Sequence, residues 1–181
     1  MEINENIKAK DLFMKYNGSY FHMTREGDYD KYKQYNVTKD QELIWKSELV
    51  DKLCNELSTD NFNALSSLTT LAGNYDAQEI LRKVIAYTSK NIQKGDSFIK
   101  IIYCEQIFEI IEKTIKQNKN LQTKLINESF DLIKKTLKDV LNNPVDIKPD
   151  RDMQFILEPI EEYIRNRATN CLNEVNTFTM K

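Results

Sequence analysis

Residues 97–117, SFIKIIYCEQIFEIIEKTIKQ, carry apolar side chains on nearly every side of the helix that their spacing predicts. Phe98, Ile99, Ile101, Ile102, Tyr103, Cys104, Ile107, Phe108, Ile110, Ile111 and Ile115 cover most of the circumference. Glu105, Glu109, Glu112, Lys113 and Lys116 fall in one narrow stripe. A helix with a single apolar face can lie at a protein surface, but one that is apolar nearly all round must be covered on more than one side. The segment therefore belongs at the centre of a helical domain.

The rest of the chain supplies helices to cover it. Thr38 caps a helix with Asp40 and Glu42 in its first turns, where the dipole favours acids. Its inward arc reads Leu43, Val50, Leu53, Cys54 and Leu57, with Trp45 and Leu49 at one margin. Asp60 is placed to cap the next helix, with Phe62, Leu65, Leu68 and Leu71 on one side. Gly73-Asn74 closes that helix through a left-handed residue. Asp76 opens a third, with Ile80, Leu81, Val84 and Tyr87 in phase, and Gly95-Asp96 repeats the stop-and-cap device. A regular amphipathic helix follows from about 120 to 142 and is broken by Asn142-Asn143-Pro144. The last helix begins between Asp150, a cap, and Pro159, with Ile160, Ile164, Ala168, Cys171 and Val175 facing inward. Only four glycines and three prolines occur in 181 residues, so turns are few and helices long.

The first 37 residues read differently. Ala9, Leu12, Phe13 and Tyr16 have helical spacing, ended by Asn17-Gly18, yet the same Asn-Gly between apolar runs is also a hairpin signal, so residues 12–23 form either a helix or a hairpin. Tyr29 and Tyr32 suggest further helical turns before Asn36. The expected organisation is an aromatic-rich N-terminal segment, 1–37, packed on a helical domain, 38–181.

The stretch DNFNALSSLTTLAGNYDAQEILRKVIAYTSK makes one antiparallel helix pair, and GDSFIKIIYCEQIFEIIEKTIKQ with KNLQTKLINESFDLIKKTLKDVLNN makes a longer one. Each pair leaves an apolar face that it cannot bury alone, which is why such units stack. Over roughly 38–143 this arrangement resembles the α-α superhelices of the HEAT/armadillo kind, and LAGNYDAQEILRKVIA is similar to the turn and second helix of such a repeat. The pairs differ in length and no Pro or Arg recurs at a fixed offset. The resemblance therefore implies an all-α fold of stacked antiparallel pairs, and no site residues. An orthogonal helical bundle is the alternative.

Composition narrows the function. Lys plus Arg is 26 and Asp plus Glu 28, with no long block of one sign, so there is no dense cationic face to displace counterions from nucleic acid. MEINENIKAK has no apolar run of the kind a secretory signal needs, and no window is long and apolar enough to span a bilayer. Cys54, Cys104 and Cys171 are odd in number and far apart, without zinc-knuckle spacing, and read as reduced thiols of a cytoplasmic protein.

No motif assembles a catalytic set. His22 is the only histidine, and neither a nucleophile elbow nor a multi-ligand zinc site can be built around it. Asp146, Asp150 and Asp152 lack the glycine and spacing of a calcium loop. Glu109 and Glu112 share a helix face, but the Glu-x-x-His partners of a di-iron site are missing; they read as solvated ion-pair partners of Lys113 and Lys116. The four glycines form no phosphate-cradling loop. No catalytic residue, metal or cofactor is assigned.

One constellation stands out. Eight of the eighteen aromatic residues lie between Phe13 and Trp45, interleaved with charged groups. Tyr20, His22, Arg25, Glu26, Tyr29, Tyr32 and Trp45 are the candidate binding residues, because Tyr and Trp give large contact area at low entropy cost. The expected function is a protein–protein interaction module with no chemistry of its own, taking a protein or peptide partner of basic character. A small acidic immunity or antitoxin-like protein is one concrete form, and a regulatory binding protein another. The alternative is a small-ligand binder or enzyme with a pocket involving Tyr20, His22 and Arg25. A third option is a homodimer through the apolar girdle of 97–117.

Overall fold

A computed structural model describes residues 2–117, 121–149 and 159–179. Among these the fold is all-α, with no strand, and no helix is long and apolar enough to cross a membrane. Contacts divide the chain into two compact units, Met1–Glu56 and Leu57–Lys181.

The first unit holds α1 (Glu2–Lys15), α2 (Tyr20–Arg25), α3 (Tyr29–Gln34) and α4 (Lys39–Asn55). Asn17-Gly18 ends a helix rather than turning a hairpin. Asn17 takes φ 49° and Gly18 φ 68°. The Gly18 N–H donates to the Phe13 carbonyl at 2.9 Å and the Asn17 N–H to that of Met14 at 3.2 Å. This is the Schellman pairing, which satisfies the carbonyls a helix end leaves open. Gly27 (φ 79°) repeats it for α2: its N–H donates to Thr24 and that of Asp28 to Met23. Asn36, at φ 49°, stops α3. Three left-handed stops fold 36 residues into three short helices.

Ala9, Phe13, Met23, Tyr32, Trp45 and Leu49 are buried here, with the Phe13 ring centroid 5.7 Å from that of Trp45 and 6.3 Å from that of Tyr32. Thr38 caps α4 as expected, its hydroxyl accepting from the Gln41 N–H at 3.2 Å. The inward face of α4 differs from expectation. Trp45 and Leu49 lie at its centre and Leu43 is 52% exposed. The large indole, held by Phe13, sets the rotation of the helix and turns Leu43 outward.

The second unit holds α5 (Asn63–Leu71), α6 (Ala77–Asn91) with a 3₁₀ turn at Ile92–Lys94, α7 (Ser97–Gln117), α8 (Thr123–Asn142) and α9 (Ile160–Thr179). Helix α7 packs against α5, α6, α8 and α9, so its isoleucines from Ile99 to Ile111 are all buried within the unit. Its central place is the expected one. Its polar side chains serve the neighbours as well. The Lys113 Nζ donates to the Thr69 carbonyl at 2.7 Å and the Gln117 amide to that of Ala72 at 2.7 Å, which closes the C-terminal end of α5. Gln106 exchanges bonds with Ser66 and Thr69.

Asp96 caps α7, accepting from the Ile99 N–H at 2.9 Å, while its other oxygen accepts from the Lys148 N–H at 3.2 Å. Ser97 and Asp146 bond each other twice, backbone to backbone and backbone to hydroxyl. The loop after α8 is thereby tied to the start of the central helix. Gly95 stands at this junction, where an added Cβ would lie 3.0 Å from the Ile99 side chain.

Three local expectations fail in this unit. Asp60 is not the cap of α5, whose cap position is Phe62; it pairs with Lys148, and the Asn61 side chain accepts from the Asn63 N–H. Neither glycine stop is left-handed: the chain leaves α5 through tight bonds from Gly73 to Thr70 and Asn74 to Leu71, and α6 ends through the 3₁₀ turn with Gly95 extended at φ −77°. Ile160 is exposed, although Ile164, Ala168, Cys171 and Val175 face inward as read. Asp150 and Asp152, with the proposed cap of the last helix, lie outside the described residues.

Candidate functional site

The seven candidate residues of the first unit do not form one site. Tyr20, Tyr29 and Tyr32 come together, with ring centroids 5.4 Å (Tyr20–Tyr29) and 6.0 Å (Tyr20–Tyr32) apart. The hydroxyls of Tyr20 and Tyr32 both donate to Glu42 Oε1, the latter at 2.8 Å. Burial, then hydrogen bonding to Glu42, pushes both phenols above the ordinary tyrosine range. Such phenols keep their protons at neutral pH, so the cluster holds a shape rather than moving protons. Lys33, over the Tyr29 ring at 4.7 Å, closes one side of a shallow cavity of about 270 Å³.

His22, Arg25 and Glu26 line a different cavity, of about 280 Å³, with Lys15, Tyr16 and Asn17. All three are exposed, and Arg25 pairs with its neighbour Glu26 at 3.0 Å. Trp45 is 2% exposed and packs beneath the surface rather than lining it. The polar groups of both cavities therefore largely satisfy one another. The unit also exposes Ile7, Leu43 and Ile44, but its most open large apolar side chain is Phe21, 71% exposed on α2, with Tyr20 and His22 beside it in sequence.

That short helix is held in place at both ends. The Ser19 hydroxyl accepts from the His22 N–H at 3.3 Å, and the Schellman turn at Gly27 leads into Asp28. Asp28 accepts from the Tyr16 hydroxyl at 2.6 Å and from Lys15 at 3.1 Å. These two bonds hold its carboxyl below the usual aspartate range.

The second unit carries a larger concavity: a groove of about 530 Å³ between α7 and α9, lined by Glu105, Phe108, Glu109, Glu112, Asn173, Glu174, Thr177 and Phe178. Phe108 and Phe178 meet edge to face at 5.5 Å, backed by Phe130 at 6.4 and 5.9 Å. Glu105 is held by the Arg167 guanidinium through two bonds of 2.6 Å, and Glu109 pairs with Lys113 at 2.7 Å. Glu109 is thus exposed and paired with Lys113 as read, and with Glu112 it also lines this open groove. Among the described residues no group of three or more His, Cys, Asp or Glu is placed to hold a metal ion.

Sequence reasoning missed Glu42 as the partner of the tyrosines, and it missed the groove. Nothing local links Glu42 to residues ten and twenty-two positions earlier. A signal for the groove did exist: Phe108 lies within the acidic stripe of α7, at i+3 from Glu105 and i−4 from Glu112. No protein-family model, curated protein or solved structure matches this chain.

Proposed function

We propose that the protein is an interaction module that binds a protein partner through the aromatic surface of α2, with Phe21 as the anchor and Tyr20, His22 and Arg25 around it. One observation carries the reading: a phenylalanine 71% exposed on a helix that caps and hydrogen bonds hold at both ends. An exposed aromatic on a pre-ordered support loses little entropy on binding, as interface hot spots require. The cavities around it are shallow, and their phenols, carboxylates and cations are engaged with one another. That weighs toward a macromolecular partner and against a small ligand. An immunity- or antitoxin-like protein, which blocks a partner by covering it, is one form such a module takes.

The test is affinity capture of partners by the tagged chain, wild type against Phe21→Ala. The substitution removes a side chain that is mostly exposed and whose one ring neighbour among the described residues is His22, so the helical circular dichroism stays unchanged while a partner retained by wild type is lost. Retention of the same partner by both proteins rejects the α2 surface.

A further inference from the structure

We propose that the groove between α7 and α9 is a second docking site, for a cationic amphipathic segment of a partner protein. The segment would seat an apolar side chain on Phe108 and Phe178 and set lysine or arginine side chains against the glutamates. The inference is independent of the α2 surface, since it rests on a different unit of the chain.

The groove is an open concavity of about 530 Å³, suited to a segment laid along the surface rather than to an enclosed ligand. Its floor is apolar: Phe108 and Phe178 are half-buried against Phe130 and both line the opening. Its rim is of one sign. Four glutamates line it and, among the described residues, no lysine or arginine does. Arg167 and Lys113 engage Glu105 and Glu109 from outside the lining, while Glu112 and Glu174 have no ion pair among the described residues.

This combination selects the occupant. An acidic or neutral apolar segment entering the groove would strip water from two carboxylates without replacing it, which costs more than the covered phenylalanine surface returns. A polar cationic segment would leave the phenylalanines uncovered. Only a segment with both characters satisfies floor and rim together. An anionic lipid or nucleic acid is repelled by the same rim, and a second copy of this chain, with formal charge −2, brings no excess of positive charge.

The test uses a synthetic fourteen-residue leucine–lysine peptide patterned to give one apolar helical face. Its controls are the same peptide with serine for every leucine and one with glutamate for every lysine. Titration into the full chain, followed by calorimetry and by NMR of the phenylalanine ring protons, is expected to give saturable binding with shifts at Phe108 and Phe178. Both control peptides are expected to bind at least tenfold more weakly. The double variant Glu112→Gln/Glu174→Gln changes exposed or half-exposed side chains only, and is expected to weaken binding about fivefold to tenfold and flatten its salt dependence. Phe178→Ala is expected to weaken it by at least as much. No binding up to millimolar peptide overturns the proposal, as does equal binding of the serine control or indifference to the double variant. A dimer of the chain itself, seen in sedimentation and dissolved by the double variant, assigns the groove to a second copy and overturns it too.

Discussion

Asn17 and Gly18 decide the path of the first unit by occupying the left-handed region, which asparagine tolerates and glycine adopts freely. Gly18 is doubly constrained, because an added Cβ would lie 2.8 Å from Phe13 Cζ as well as straining φ 68°. Gly18→Ala is therefore expected to cost about 1–3 kcal/mol, read as a lowered urea midpoint. Tyr16 acts on the same turn through Asp28. A carboxyl whose folded pKa is depressed contributes stability that is fully present above the ordinary aspartate range and is lost as pH falls through the lowered value. Tyr16→Phe removes the larger cause, so the Asp28 carbon resonance should titrate at higher pH than in wild type. An unchanged titration would show that the hydrogen bond is not the cause. Burial likewise raises the thiols of Cys104 and of Cys171, the latter to about 12, with Glu105 and Glu174 adding to the Cys171 shift. In the folded chain at pH 8 a thiol reagent should modify Cys54 alone within minutes, and all three cysteines only in denaturant. Rapid loss of three thiols from folded protein would contradict the buried positions.

Helix starts show how one device acquires different weight with its surroundings. Asp76 and Asp96 each accept from the backbone N–H three residues on, at 3.0 and 2.9 Å. Asp76 is exposed and does nothing further, so Asp76→Ala should cost about 1 kcal/mol. Asp96 is 1% exposed and also accepts from Lys148, so Asp96→Ala leaves one buried and one half-buried N–H unmet and should cost about 2–4 kcal/mol. Parallel denaturation of the two variants checks this, and equal losses would mean that the tether of the loop to α7 contributes nothing. At the start of α9 the Pro159 carbonyl accepts from the Tyr163 N–H, which puts Pro159 at the cap position just ahead of Ile160, with Glu161 and Glu162 in the first turn where the dipole favours them.

At the scale of the whole molecule, the isoleucines of α7 are where burial concentrates. Ile107→Ala and Ile110→Ala, at positions 1% and 0% exposed, should each cost about 2–5 kcal/mol, whereas Ile115→Ala at a half-exposed position should cost about 1 kcal/mol or less. Chemical denaturation followed by circular dichroism separates these outcomes. The central place of α7 was legible from residues 97–117 alone, because no other position satisfies side chains that are apolar on almost every side. The caps at Thr38, Asp76 and Asp96, the amphipathic character of α8 and the inward row of α9 from Ile164 onward were legible for a similar reason: a cap and an apolar stripe are properties of a few neighbouring residues. Which way α4 faces was not, because both Leu43 and Trp45 fit an apolar arc and only the ring of Phe13, thirty-two positions away from Trp45, decides between them. The sites divide along the same line. An aromatic-rich, charged segment could be read from composition, but its separation into a Glu42-centred tyrosine cluster, a buried indole and an exposed Phe21 could not. Nor could the meeting of Phe108 with Phe178, seventy positions apart. Local order, then, is written in the chain because backbone hydrogen bonds and apolar periodicity span only a few residues; the faces open for binding are decided by packing between distant residues, which determines the side chains left over once the core is full.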